Sequence, residues 1–156
     1  MKRPTYVTDK ALKQFIKSAL EEDIQSGDHS TLSTIPSDLT QSAKLLVKED
    51  CILAGVELAE IIFKTFDKNL KIEVFIKDGE NAKVGDIAFI VTGKAQSILS
   101  TERLVLNCMQ RMSGIATLTH DWDSRLIGTK TKLLDTRKTT PNFRICEKWA
   151  VSIGGG

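Results

Sequence analysis

Apolar residues change their spacing several times along this chain, and each change marks an element. From residue 9 to residue 23, Leu12, Phe15, Ile16, Ala19 and Leu20 recur at helical spacing behind Thr8, whose hydroxyl suits an N-cap, so an amphipathic helix is predicted there. Residues 24–38 lose that period and are rich in Ser, Thr, Asp and Gly, which reads as a long connection. Ala43, Leu45 and Val47 then alternate with Lys44 and Lys48 as a half-buried strand, and residues 51–54 give a short second strand ending at Gly55. Helical spacing returns through Val56, Ala59, Ile62, Phe63 and Phe66. Ile72, Val74 and Ile76 alternate again until Asp78-Gly79 ends the strand with turn chemistry; a second turn at residues 83–86 leads into a strand at 87–92. Helix, strands, helix, strands with one apolar face each describe an α+β domain whose antiparallel sheet is covered on one side.

Residues 97–120 predict a helix of roughly six turns. Val105, Met109, Met112 and Ala116 occupy one side and Leu104, Cys108, Ile115 and Leu118 the adjacent one, an apolar circumference wide enough for a largely buried helix. Arg103, Asn107, Gln110 and Gly114 form a narrow polar row on it. A buried arginine needs an anion, which an internal carboxylate, a polar pocket or a pocket in a second subunit can supply. Periodicity leaves these open.

The spacing changes once more after Trp122. Residues 132–135 predict a short strand; Thr140 and Pro141 make a good N-cap and first helical position, and Phe143, Cys146, Trp149 and Ala150 then face one way to about Val151. Between strand and helix lies Asp-Thr-Arg-Lys-Thr-Thr-Pro at 135–141, where Arg137 and Lys138 sit among hydroxyls. Arginine offers a planar fork for carboxylate or phosphate and lysine a point charge, and ligand groups in α/β folds gather where strands end and helices begin. Arg103, Arg137 and Lys138, with Thr136 in support, are therefore candidate anion binders for a ligand of several negative charges. One strand-turn-helix unit opens a parallel barrel or wound sheet but cannot close one, which takes roughly 200 residues or more.

Composition narrows the classes. A 41% hydrophobic, 27% charged chain suits a soluble globular protein, and a net charge of +2 with few aromatics argues against nucleic acid. No stretch approaches a membrane span and Met1-Lys2-Arg3-Pro4 leads into no apolar signal region, so a cytoplasmic location is expected. Cys51, Cys108 and Cys146 are too widely spaced for a zinc or disulfide framework and read as buried free thiols; His29 and His120 stand alone. The run Glu21-Glu22-Asp23 reads as a solvated helix end, and Gly27-Asp28 as structural. Gly154-Gly155-Gly156 reads as a helix cap with a mobile tail, and a glycine loop with nothing after it points to a fragment.

Several runs taken together resemble one family over essentially the whole chain. They are residues 101–107 (Thr-Glu-Arg-Leu-Val-Leu-Asn), 110–117 (Gln-Arg-Met-Ser-Gly-Ile-Ala-Thr), 135–141, and 147–151 (Glu-Lys-Trp-Ala-Val) followed by the three glycines, with Glu22-Asp23-Ile24, Gly27-Asp28, Leu53-Ala54-Gly55, Asp78-Gly79, Val84-Gly85-Asp86 and Gly93-Lys94-Ala95 upstream. The combination is similar to the quinolinate phosphoribosyltransferases, also called nicotinate-nucleotide pyrophosphorylases (carboxylating). The resemblance implies an α+β N-terminal sandwich domain, here residues 1–112, followed at 113–156 by the start of a truncated α/β-barrel domain. It implies a homodimer with shared active sites, the sandwich of one subunit capping the barrel mouth of the other, or a hexamer. It implies conversion of quinolinate and phosphoribosyl pyrophosphate, with Mg²⁺, into nicotinate mononucleotide, pyrophosphate and CO₂, the entry to NAD from the de novo pathway. By motif, Arg103 matches the quinolinate-binding arginine contributed from the neighbouring subunit, and Thr136, Arg137 and Lys138 match the substrate-binding turn. The family's Asn-His-Arg run, later lysine and acidic metal-site residues lie beyond Gly156, so no catalytic residue and no Mg²⁺ ligand is assigned in this chain and the 156 residues alone are expected to be inactive. Gln25 and Asn142 stand where glycine is usual in the family, and Ser152 where a basic residue is common. The alternatives are a paralogue of the same fold acting on another ring acid and, from Asp78-Gly79 and Val84-Gly85-Asp86, a non-enzymatic lipoyl-like module.

Overall fold

The computed structural model describes residues 3–156; the Met1-Lys2 pair read above for a signal segment lies outside them. In chain order the elements are α1 (Asp9–Ile24), α2 (His29–Thr34), β1 (Thr40–Leu46), β2 (Cys51–Ile52), α3 (Val56–Phe66), β3 (Lys71–Val74), β4 (Asn81–Ala82), β5 (Ile87–Lys94), α4 (Ala95–Arg125) and α5 (Arg144–Ile153). The first helix begins as its sequence predicts, with the Thr8 hydroxyl accepting from the Ala11 amide. The stretch predicted as a plain connection contains α2, a single Ser/Thr-rich turn and a half with no apolar stripe to announce it; Asp28 caps it by accepting from the Thr31 amide at 3.1 Å.

The alternation read from the sequence becomes a three-stranded antiparallel sheet in the order β1-β5-β3. Its register sets Leu45 opposite Phe89 and Phe89 opposite Val74, with Ala43, Val91 and Ile72 aligned two residues on, so these apolar rows share one face. The other face carries Lys44, Ile90 and Glu73, then Ser42, Thr92 and Lys71, and the Ser42 and Thr92 hydroxyls meet at 2.7 Å across it. Phe63 of α3 packs edge-on against Phe89 of the inner face, ring centres 5.9 Å apart. Asp78 starts α3 from a distance by accepting from the Val56 and Glu57 amides at 2.8 and 3.0 Å; burial raises its pKa above the ordinary carboxylate value in spite of those bonds.

The short strand β2 pairs with β4, and its free edge is covered by a helix rather than a strand. The Ile52 amide donates to the Thr117 hydroxyl at 2.9 Å and the Ala54 amide to the Ser113 hydroxyl at 3.0 Å, so two hydroxyls one turn apart on α4 satisfy alternate backbone groups. Gly55 sits at positive φ (95°) where α3 meets α4; a Cβ there would lie 3.2 Å from Met112 Sδ and 3.3 Å from the Met109 backbone. The core runs between α4, α3, α5 and the sheet, with Leu12, Leu58, Ile62, Leu70 and Met112 fully buried. The segment before α1 is strapped on by Arg3, which lies over the Trp149 ring, and by the Tyr6 hydroxyl, which donates to the Lys148 carbonyl.

Four expectations are corrected. Helix α4 is longer than the predicted 97–120 and one-sided rather than largely buried: Arg103, Asn107, Gln110 and Gly114 are all exposed, as are Leu106 and Leu118. Residues 132–135 form no strand, because no neighbouring strand pairs with them among the described residues and a strand exists only as a ladder. Residues 141–143 make a turn, so α5 begins at Arg144 with Phe143 rather than Thr140 at the N-cap. The glycine triplet caps α5 as read, and it bonds back onto the helix rather than trailing from it. Gly155 takes positive φ (101°), its amide bonds the Ser152 carbonyl and the Gly156 amide bonds the Val151 carbonyl, a Schellman end. Gly154 is buried against α4, where a Cβ would lie 2.4 Å from the Ala116 carbonyl oxygen.

Candidate functional site

Two groups of cations come out of this fold. The first is on α4. Arg103, Asn107 and Arg111 follow one another at four-residue steps and line one wall of an open groove of about 950 Å³; Phe15 and Asp23 of α1 form the opposite wall and residues 140–145 the end. The polar row that the sequence suggested thus turns, in the groove, through Arg111 rather than Gln110 and Gly114. Arg103 is 70% exposed and its Nη1 pairs with Asp23 Oδ1 at 2.5 Å. That contact corrects the reading of Asp23 as a solvated helix end, since it receives the arginine across the groove. An ion pair so exposed is worth little by itself, and it leaves most of the guanidinium face in water.

The second group is the segment 135–140, which is exposed almost throughout and carries Thr136, Arg137 and Lys138. It is shaped by its own side chains. The Thr136 amide donates to Asp135 Oδ1 at 2.6 Å, the Lys138 amide to the Thr136 hydroxyl at 3.1 Å, and the Thr139 amide to the Arg137 carbonyl at 3.0 Å. The second is a Ser/Thr-type turn, whereas the first joins Asp135 only to the amide of the next residue. No carboxylate pairs with the Arg137 or Lys138 side chain among the described residues, so both cations face solvent. Within one chain Arg103 lines the groove, whereas Thr136, Arg137 and Lys138 do not.

Behind this segment lies a network that composition and motif did not reveal. Glu147 is 7% exposed. Its Oε1 accepts from Arg111 Nε at 2.8 Å and from the Thr140 hydroxyl at 2.8 Å, and its Oε2 accepts from the Thr140 amide at 3.0 Å. Burial pushes the Glu147 carboxyl up, but the Thr140 hydroxyl and amide and the Arg111 guanidinium together hold it below the usual glutamate value. The sequence carried a signal for it: Glu147 falls on the apolar stripe of α5 between Phe143, Cys146 and Ala150, and a lone carboxylate there implies a buried cationic partner. Cys108 and Cys146 are buried beside the same helices, and burial pushes the Cys108 thiol up to about 12, so neither is a nucleophile; Cys51, half-buried, departs from the expectation of three buried thiols. Among the described residues no group of three or more His, Cys, Asp or Glu side chains is arranged to hold a metal ion, and no helix is long and apolar enough to cross a membrane.

Comparison with known proteins places this geometry. Residues 28–113 match the family model for the quinolinate phosphoribosyl transferase N-terminal domain, and residues 115–156 match that for the C-terminal domain. The chain is 46% identical over 154 residues to the Nicotiana tabacum protein named quinolinate phosphoribosyltransferase [decarboxylating] 2b, mitochondrial, covering 98% of this chain and 42% of that protein. It superposes on the crystal structure of NadC from Streptococcus pyogenes with a TM-score of 0.91 at 36% identity, over 98% of this chain and 54% of that one. The nicotinate-nucleotide pyrophosphorylase from Francisella tularensis gives a TM-score of 0.89 at 34% identity, over 100% and 56%. The chain therefore spans about half the length of the relatives it matches, or less. With two consecutive family domains matched in order and the same backbone in solved members, the chain belongs to the quinolinate phosphoribosyltransferase family.

Proposed function

We propose that this chain is the N-terminal part of an enzyme that transfers the phosphoribosyl group of phosphoribosyl pyrophosphate to quinolinate, with loss of CO₂, to give nicotinate mononucleotide and pyrophosphate. The observation that carries the reading is the solvent-facing pair Arg137 and Lys138 on a turn shaped by Asp135 and Thr136, in a chain matched to this family at both ends. Quinolinate bears two adjacent carboxylates, and each calls for its own charge-assisted donors. Arg137 and Lys138 supply them from this chain, with Thr136 setting the turn. Arg103 supplies a third cation to the site of a neighbouring subunit. Its exposure on α4, in a groove that Thr136, Arg137 and Lys138 of its own chain do not line, supports a shared site in a homodimer, or a hexamer. The division at residues 112 and 113, where the sandwich gives way to barrel, belongs to the same reading, as does a cytoplasmic location, where unpaired thiols stay reduced.

The contribution of these residues is positional and electrostatic. Fixing the dicarboxylate sets its ring nitrogen toward the anomeric carbon of the ribosyl donor, and held cations offset charge that water would otherwise screen. The chemistry assigned to this chain does not involve the Mg²⁺ that the family implies.

Nicotinate mononucleotide formation from quinolinate and phosphoribosyl pyrophosphate is the test. The full-length protein is expected to turn over and the 156-residue chain alone to be inactive. Arg137→Ala in the full-length protein should lower kcat/KM by about 10- to 100-fold, the ~1.5–3 kcal/mol of a hydrogen bond to a charged group. Turnover of a different ring acid in place of quinolinate would make this a paralogue, and an unchanged kcat/KM in Arg137→Ala would remove the turn from the site.

A further inference from the structure

The segment 135–140 bears two of the three cations proposed to meet the substrate, yet it is neither helix nor strand and its own amide bonds are short-range. An exposed loop of that kind is ordered at the expense of affinity unless something orders it beforehand. Helix α5 does so. Arg144, Glu147 and Lys148 stand at i, i+3 and i+4, hence on one face, and all three reach back to the segment. Lys148 Nζ meets Asp135 Oδ2 at 2.6 Å where the segment begins. Arg144 donates from Nε to the Thr139 hydroxyl at 2.8 Å and from Nη2 to the Arg137 carbonyl at 3.4 Å in its middle. Glu147 takes the amide and hydroxyl of Thr140 at its end, and is itself held by Arg111 of α4. The Tyr6 hydroxyl bonds the Lys148 carbonyl at 3.0 Å, which anchors the same turn of α5.

We propose that Arg144, Glu147 and Lys148 are positioning residues that clamp segment 135–140 at its start, middle and end, so that Arg137 and Lys138 are presented to a dicarboxylate before it arrives. Two of the three are cations spent on Asp135 and on the Thr139 hydroxyl and Arg137 carbonyl rather than left open to a ligand. The clamp deepens the function proposed above and rests on it.

The test is made in the full-length protein with Lys148→Met, with Asp135→Asn breaking the same contact from its other side in case the first variant folds poorly. The KM for quinolinate should rise about tenfold with kcat changed by less than about twofold, as expected when a binding element is loosened and the reacting groups are intact. Lys148→Arg, which still reaches Asp135, should bring KM back to within about twofold of wild type. By hydrogen exchange, the Lys138 and Thr139 amides should exchange about tenfold faster in Lys148→Met while the buried Ala150 of α5 is unchanged. A KM within twofold of wild type in both variants overturns the proposal, as does faster exchange at Ala150 by the same factor, which would mean that α5 itself had loosened. If the wild-type full-length protein forms no nicotinate mononucleotide, the proposed function fails, and the exchange measurement still decides whether the clamp exists.

Discussion

The body built from residues 40–125 and the stretch 126–143 that follows it both carry short apolar runs that read as strands, yet they fold on different terms. In the body each strand finds an antiparallel neighbour in the chain, and where β2 lacks one, Ser113 and Thr117 of α4 take its place. In the stretch, Ile127 is 81% and Leu134 86% exposed, and the strand expected at 132–135 does not form. A strand pattern is a statement about a surface waiting for a partner, and the same pattern is structure in one place and bare chain in another. The largest effects should divide along this line. Met112→Ala, which empties a fully buried site between α3 and α4, is expected to cost about 2–5 kcal/mol of stability, whereas Leu134→Ser should stay within ~0.5 kcal/mol, both read by urea unfolding of this chain. A cost at Leu134 comparable to that at Met112 would show that the stretch packs in solution, and would erase the distinction.

Glycines sharpen it at the next scale. Gly154 has ordinary φ (−76°), so its reason is space: a Cβ would press on the Ala116 carbonyl and, at 2.7 Å, on Thr119 Cβ, and neither can swing aside. Gly128, in the stretch, has φ of 84° and nothing within 4 Å of where a Cβ would go, so its reason is backbone conformation alone. Gly154→Ala should cost about 1–3 kcal/mol through displacement of α5 from α4, and Gly128→Ala about 1 kcal/mol through left-handed strain. Melting curves of the two variants test the order; equal costs would mean that α5 can slide on α4 without penalty.

How legible this was in the sequence follows the same line. Helix α1 with its Thr8 cap, helix α3 to the residue, and the inward rows of the sheet were all readable, because period and capping are local and the partners lay within the chain. The short helix α2 was not, since one turn and a half capped by Asp28 leaves no period to find. The excess of apolar residues on α4 read as burial, but Leu106, Leu118 and Trp122 remain 43%, 61% and 51% exposed. In the site, the cations of segment 135–140 could be named from residue type and position. The partners of the carboxylates that organise them could not, although Glu147 stood out on an apolar stripe, because its contacts with Arg111 and Thr140 and that of Asp135 with Lys148 exist only in the folded chain.

The smallest effects concern two positions where a residue other than glycine takes a backbone conformation that favours glycine. Gln25, at the end of α1, has φ of 41° with ψ of −107°, and Asn142, just before α5, has φ of 63°; among the described residues these are the two non-glycines at positive φ. Glycine relieves left-handed strain of about 1–2 kcal/mol but adds about 0.5–1 kcal/mol of unfolded-chain entropy. For glutamine the relief should win, so Gln25→Gly is expected to stabilise by up to ~1 kcal/mol. Asparagine tolerates the left-handed region better than most residues, so Asn142→Gly should change stability by less than ~0.5 kcal/mol. Here the two positions should differ because of the side chain each carries and not because one region is packed and the other bare. Placing asparagine at position 25 separates the causes: a gain close to that of glycine assigns the strain to glutamine, whereas no gain assigns it to the unusual ψ, which asparagine does not relieve.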